Sequence, residues 1–393
     1  MSFALFPDVP PKRQDKLPLL STIMLDQVTD AFKQKDYRTA ARLLKQLAKE
    51  EPNNPWVRLY IGRLHEATGK LDAAETAYRN LLKNTTHPKV MTQARQGLGR
   101  LEAREQEKRR QALAQATADP ENTQFGILIL EPIEPQAKPT AAQTLAKIMQ
   151  IDPYTARLQL PTRGWRLYRV GPIGELKFYA SSLQQGSVPC FWAILAQIQS
   201  LNVFSVHYFS QVSSEEATVV CENDQGQLGS LPFQWSEVSQ LVEGRLPIFE
   251  QVVDLDARGK LQRKTQTQDY AQFCDLHLPT RKTILRLCDR DYQFQQGIEL
   301  SLQQKSHPTQ GKSTSSLSHT TNRINWNNLR GFLNRQLPQT PVWSDFTNFA
   351  ETALDYREML TRLPAHIDLF RRQESLWDSA FELYSGLVFL KND

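Results

Sequence analysis

Residues 31–82 contain a match of the chain to itself. At a shift of 34 residues Ala40 falls on Ala74, Leu44 on Tyr78, Leu47 on Leu81 and, just outside, Val28 on Gly62. A period of this length, with small residues at fixed places, is what stacked helical hairpins leave in a sequence, because each hairpin must bury one face on the next. Gly62 and Ala74 stand on either side of Thr68-Gly69-Lys70. Two small residues facing each other across such a turn let the helix axes approach and their neighbours interdigitate. Gly69 suits the left-handed position that ends a helix, and Pro52 and Pro88 punctuate the second helix of each unit. The first copy carries Val28 where the second has Gly62, and Gly97-Leu98-Gly99 opens a partial third unit over a stretch that reaches from Met24 to Leu113.

The better copy reads Ile61-Gly62, His65, Gly69, Ala74, Tyr78, Leu81 and then Pro88. In these residues it resembles a tetratricopeptide repeat, a family whose modules bind other proteins. The resemblance implies a non-enzymatic protein–protein scaffold or adaptor that captures a partner segment on the first helix of each hairpin. The groove-facing places would then be Leu25, Thr29, Phe32, Trp56, Leu59, Arg63 and Glu66. Many modules of the family hold a partner's C-terminal carboxylate with Lys, Arg and Asn side chains. Here the corresponding places hold Leu25, Thr29 and Tyr60. Arg63 is the charge that remains, and Glu66, one turn on, is expected to neutralise it. Such a surface suits an amphipathic helix or an extended apolar segment. In module order and Gln-rich style the chain also resembles repeat-containing proteins of cyanobacteria.

At 393 residues, 40% hydrophobic and 23% charged, the chain is long enough for two to four folded units and is not of disordered composition. A net charge of +5 is small for this length and far from the concentrated basic face of a nucleic-acid binder. The charged stretch 100–111, which contains REQEKRR, interleaves Glu102, Glu105 and Glu107, which cancel the field a phosphate backbone needs; a solvated capping helix is the expectation. The start, MSFALFPDVPPKRQDK, lacks a leading basic region and does not read as a signal peptide, and no apolar run is long enough to cross a bilayer. Cysteines at 190, 221, 274 and 288 show no close pairing, which points to a reduced, cytoplasmic setting.

The expected fold class is multidomain α plus α/β. Residues 1–20 read as a flexible arm, 21–118 as the helical repeats, 124–197 as a small α/β domain, 198–302 as a β-rich domain, 303–322 as a polar linker and 323–393 as a helical C-terminal segment. In 124–197, FGILILEPI reads as a buried strand, 140–149 as a helix, Asp152-Pro153 as the capped start of another, WRLYRV as a strand, 173–183 as a helix and VPCFWAI as a strand. The order β-α-α-β-α-β resembles the small domain shared by the ribosomal stalk protein's C-terminal half and the ClpS adaptor of bacterial proteolysis. Only Glu131 and Glu134, in a Pro-interrupted segment, stand where that adaptor has its acidic turn, so no binding residue carries over. Between 203 and 302, FSVHYFSQV, ATVVCEN, LGSLPF, PIFEQVV and TILRLC read as strands of a small antiparallel sheet or barrel, with turns at 224–227 and 258–260 and a short helix over 235–242.

Catalytic and metal signatures fail on spacing. Gly311-Lys312-Ser313 has Ser306 where a phosphate-binding loop needs Gly, and it sits in a polar tract instead of between strand and helix. Cys274 and His277, three apart in a strand, face opposite ways and lack further ligands. The seven histidines form no close ligand pair, and no nucleophile elbow or dinucleotide fingerprint occurs. No catalytic residue, cofactor or metal is therefore expected. The alternatives left open are an RNA- or ribosome-associated factor and an enzyme whose site, without a motif, is assembled in space within 124–302.

Overall fold

A computed structural model describes residues 17–255, 261–299, 322–367, 369 and 375–391. The expected arm before residue 17, the expected turn at 258–260 and most of the expected linker 303–322 lie outside these residues. The chain divides into two compact units, Met1–Ala112 and Leu113–Asp393.

The first unit is helical: α1 (Leu17–Lys33), α2 (Tyr37–Glu50), α3 (Pro55–Ala67), α4 (Leu71–Asn84) and α5 (Pro88–Ala116). Local chemistry sets the boundaries. Asp36 accepts the Thr39 N–H at the start of α2, Asn54 accepts the Trp56 N–H at the start of α3, and Pro55 and Pro88 occupy first helical positions. Gly69 turns from α3 into α4 at φ 78°, which an L side chain rarely adopts. The repeat period marks the core: Val28, Ala40, Leu44, Leu47, Ala74, Tyr78 and Leu81 are all buried. Tyr78 is the wedge. A Cβ on Gly62 would lie 2.7 Å from one edge of its ring, and a Cβ on Gly97 2.5 Å from the other. Gly97 therefore sits inside α5, facing Tyr78, instead of opening a new element. α5 carries on through 100–111 as the expected helix, largely exposed.

The second unit begins with the expected element order: β1 (Phe125–Leu130), α6 (Lys138–Met149), α7 (Pro153–Gln159), β2 (Arg166–Pro172), α8 (Ile173–Gln185) and β3 (Cys190–Ile194). Asp152 caps α7 through the Thr155 N–H. The strands form an antiparallel sheet of order β2-β1-β3. β1 is apolar without alternation because both of its faces are covered. Leu128 and Leu130 pack against α6 and α8, while Ile127 and Ile129 look the other way into a second core.

After α9 (Leu195–Gln199) come β4 (Asn202–Val212), β5 (Glu216–Glu222), β6 (Leu228–Gln234), β7 (Gln240–Leu255), β8 (Leu261–Leu278) and β9 (Thr283–Cys288). With β10 (Val342–Trp343) they form a seven-stranded open sheet of order β10-β7-β8-β9-β4-β5-β6. It is mixed, not purely antiparallel, since β4 pairs with β9 and β10 with β7 in parallel. The short helix expected over 235–242 is a single 3₁₀ turn at Trp235–Glu237 followed by strand, because Leu241 and Val242 must reach opposite cores. The strand expected around Cys274 and His277 is the second half of β8; its first half, LQRKTQTQDY, is polar and carries no strand pattern, and its conformation comes from pairing with β7.

The C-terminal helices are α10 (Asn322–Gln336), α11 (Phe346–Ala353), α12 (Arg357–Leu360) and α13 (Leu376–Lys391). α10 covers one face of the seven-stranded sheet with Trp326, Leu329, Phe332 and Leu333. α13 is buried on every side from Asp378 to Phe389. Its Phe381, Leu383, Tyr384, Leu387 and Val388 share one core with Ile127 and Ile129 of the first sheet and with Val242, Leu246 and Phe273 of the second. Gly386 does not interrupt the helix; a Cβ there would lie 2.4 Å from Ile198 of α9.

Candidate partner-binding face

α1, α3 and α5 present a continuous row of side chains within the first unit. Thr29 on α1 bonds through its hydroxyl to the Tyr60 hydroxyl at 2.7 Å and also donates to the Leu25 carbonyl at 2.9 Å. The Phe32 ring lies 5.7 Å from the Tyr60 ring and 5.9 Å, edge-on, from Tyr37. The Arg63 guanidinium stands over the Tyr60 ring at 5.4 Å and donates to Gln93 of α5 at 3.3 Å. Trp56 lies on the same side of α3 and meets the His87 ring edge-on at 5.5 Å. Leu25, Thr29, Phe32, Trp56, Tyr60 and Arg63 are all half-buried, the exposure expected of a surface that is braced but open.

Two residues expected in this row are elsewhere. Leu59 is 0% exposed, packed with Ala74, Tyr78 and Val90. Glu66 is 8% exposed; Arg100 of α5 donates to both of its oxygens at 2.8 Å, and the Tyr78 hydroxyl donates at 2.8 Å. The reason is helical drift. At roughly 100° per residue, positions 59 and 66 lie about 60° further round α3 than 56 and 63, and that is the side on which α4 and α5 pack. Tyr60 replaces them as the centre of the row, and the Trp56, Tyr60, Arg63 spacing of four and three was the signal for it. Glu66 therefore leaves Arg63 alone. Burial by itself would raise the Glu66 carboxyl, but the hydrogen bonds from Arg100 and Tyr78 outweigh it and hold the group below its ordinary value.

The second unit holds a polar cluster that brings a serine, a histidine and an aspartate together. Arg286 on β9 donates to both oxygens of Asp275 on β8, at 2.9 and 2.7 Å, and to Glu382 on α13 at 2.7 Å. Ser385 donates to Asp275 at 2.6 Å and stands 2.9 Å from Nε2 of His277, whose Nδ1 faces Gln240 at 3.1 Å. Gln240 in turn donates to the Val388 carbonyl and accepts from the Trp343 indole. Burial, with Arg286 adding to it, pushes His277 down to about 3, so the ring is neutral near pH 7. Asp275, His277 and Ser385 are each 0% exposed, and Ser385 spends its proton on Asp275 instead of on His277. The arrangement is suited to anchoring α13 between strands and not to attack on a substrate. Cys274 and His277 do face opposite ways, one into the core under α10 and the other toward Phe389.

A family model described as tetratricopeptide repeat matches residues 31–90. No curated protein and no solved structure matches the chain. The N-terminal hairpins are thus tetratricopeptide-like, and repeats of that kind generally mediate protein–protein interaction. No helix among the described residues is long and apolar enough to cross a membrane.

Proposed function

We propose that the protein is a scaffold or adaptor that captures a segment of a partner protein non-covalently on the α1–α3–α5 face. The observation that carries this reading is the Thr29–Tyr60–Phe32–Arg63 row, held in place by its own contacts before any partner arrives. A surface ordered in advance lowers the ordering cost of association. Its chemistry sets the partner: apolar side chains to lie against Leu25, Phe32 and Trp56, and one carboxylate for Arg63, which Glu66 does not neutralise. The second unit, including the small α/β segment with its stalk-protein and ClpS-like element order, would serve as a body carrying a further surface. The four cysteines are buried free thiols, which favours a reducing, cytoplasmic setting.

The test places a photo-crosslinking residue at Gln93, beside Arg63, and identifies captured protein by mass spectrometry from the native host. Crosslinks that vanish on Arg63→Glu, with the helical circular dichroism spectrum unchanged, support the reading. Crosslinks indifferent to Arg63→Glu and to Phe32→Ala would place recognition elsewhere.

A further inference from the structure

The second unit contains a cavity of about 350 Å³ at the edge of the seven-stranded sheet, between α10 and the start of α11. Glu243 and Arg245 of β7, Gln272 of β8, Arg330 of α10, Ser344 just before α11 and Thr347 on it contribute its polar lining. β10 covers the edge of β7 only at Leu241 and Val242. Leu241 donates its backbone N–H outward to the Pro341 carbonyl. By the period of two along a strand, the N–H of Arg245 points the same way, past the end of β10 and into the open edge.

The charges do not balance. Arg330 donates to both oxygens of Glu243, at 2.8 and 2.6 Å, so that carboxylate is already chelated. Asp345, next to Ser344, is paired with Arg163 at 2.9 Å. Arg245 makes no hydrogen bond or ion pair with any described residue, although it lines the same cavity. The lining is therefore rich in donors: the Arg245 guanidinium and N–H, the two hydroxyls and the remaining N–H groups of Arg330, while Gln272 is already bonded to Asp289. The acceptor among these side chains that carries a charge is already taken.

We propose that this cavity binds the oxyanion head group of a small molecule, a phosphate ester or a carboxylate, with Arg245 as its principal charge partner and Thr347 and Ser344 as hydroxyl donors. A tetrahedral phosphoryl group, with more acceptor positions than a carboxylate, uses more of these donors. The site is independent of the partner-binding face on the first unit.

The test is calorimetric titration of the full chain with sodium phosphate and, separately, with sodium acetate, at an ionic strength held constant with chloride. Saturable phosphate binding is expected, weakened by about 10-fold or more in Arg245→Ala, as for a hydrogen bond to a charged group. Arg245→Lys should recover part of the loss and Thr347→Ala should weaken binding less. Arg245 is exposed, so the variants should melt as the parent does. Acetate binding as tight as phosphate assigns a carboxylate ligand, and a preference for phosphate assigns a phosphoryl one. The proposal is overturned if neither anion binds, or if binding survives Arg245→Ala unchanged.

Discussion

Tyr78 is fully buried and held from both sides, by Gly62 on α3 and Gly97 on α5. A ring gripped by one neighbour can tilt away from an added methyl group; a ring gripped by two cannot. Gly62→Ala should therefore cost about 1–3 kcal/mol through overpacking, where an ordinary exposed helical Gly→Ala change stabilises. The same substitution in a Tyr78→Ala background should cost far less, since the atoms it meets are gone. Thermal melts of the four proteins in this cycle measure the coupling, and strictly additive values would show that Tyr78 is not the obstacle. The importance of Gly62 was readable from the 34-residue period, which needs nothing beyond the chain itself. Gly97 was not, because its neighbour Gly99 made the pair look like a helix boundary, and only the ring on α4 distinguishes the one that packs from the one that meets open space.

Between elements, the Glu66–Arg100 pair fastens α3 to α5 across 34 residues of sequence. The linkage has a definite sign. A carboxyl whose folded value is depressed stabilises the fold fully above its unfolded value, about 4.3, and that stabilisation is lost as pH falls through the lower folded value. Melting temperatures of fragment 1–116 and of its Glu66→Gln variant should differ clearly at pH 7 and converge on acidification below about pH 4. A constant gap across that range would mean the carboxylate charge contributes nothing to the packing of α3 on α5. At this scale the sequence was most legible where elements bury themselves locally. The α/β order of 125–194 followed from capping, apolar runs and helical spacing within short windows. The register of α3 was less legible, since a stripe read at 56, 59, 63 and 66 spreads over two adjacent faces, and which one is covered depends on α4 and α5. The polar half of β8 was illegible for a related reason: it owes its conformation to β7 and not to its own side chains.

For the whole molecule, the decisive element is the last one. α13 reads as an aromatic-rich helix appended after a polar tract, yet its lack of a polar face already describes a helix surrounded by protein. It lies between the two sheets of the second unit, and its Glu382 and Ser385 reach Arg286 and Asp275 on strands β9 and β8. The central place of α13 could not be seen in the sequence because its partners lie about a hundred residues away. Removing Glu382 alone, as Glu382→Ala, leaves Arg286 buried with one of its two carboxylate partners and should cost about 3–5 kcal/mol. Truncation after Ser375 goes further: it removes the side of the core against which Ile127, Val242, Phe273 and Phe346 pack. Such a chain should lose its strand signal and its near-ultraviolet spectrum, and it should expose apolar surface that binds a hydrophobic dye. The hairpins of Met1–Ala112, which form a separate compact unit with their own core, should keep a cooperative helical melt. Survival of the β spectrum and of a second cooperative transition in the truncated chain would show that the two sheets hold together without α13.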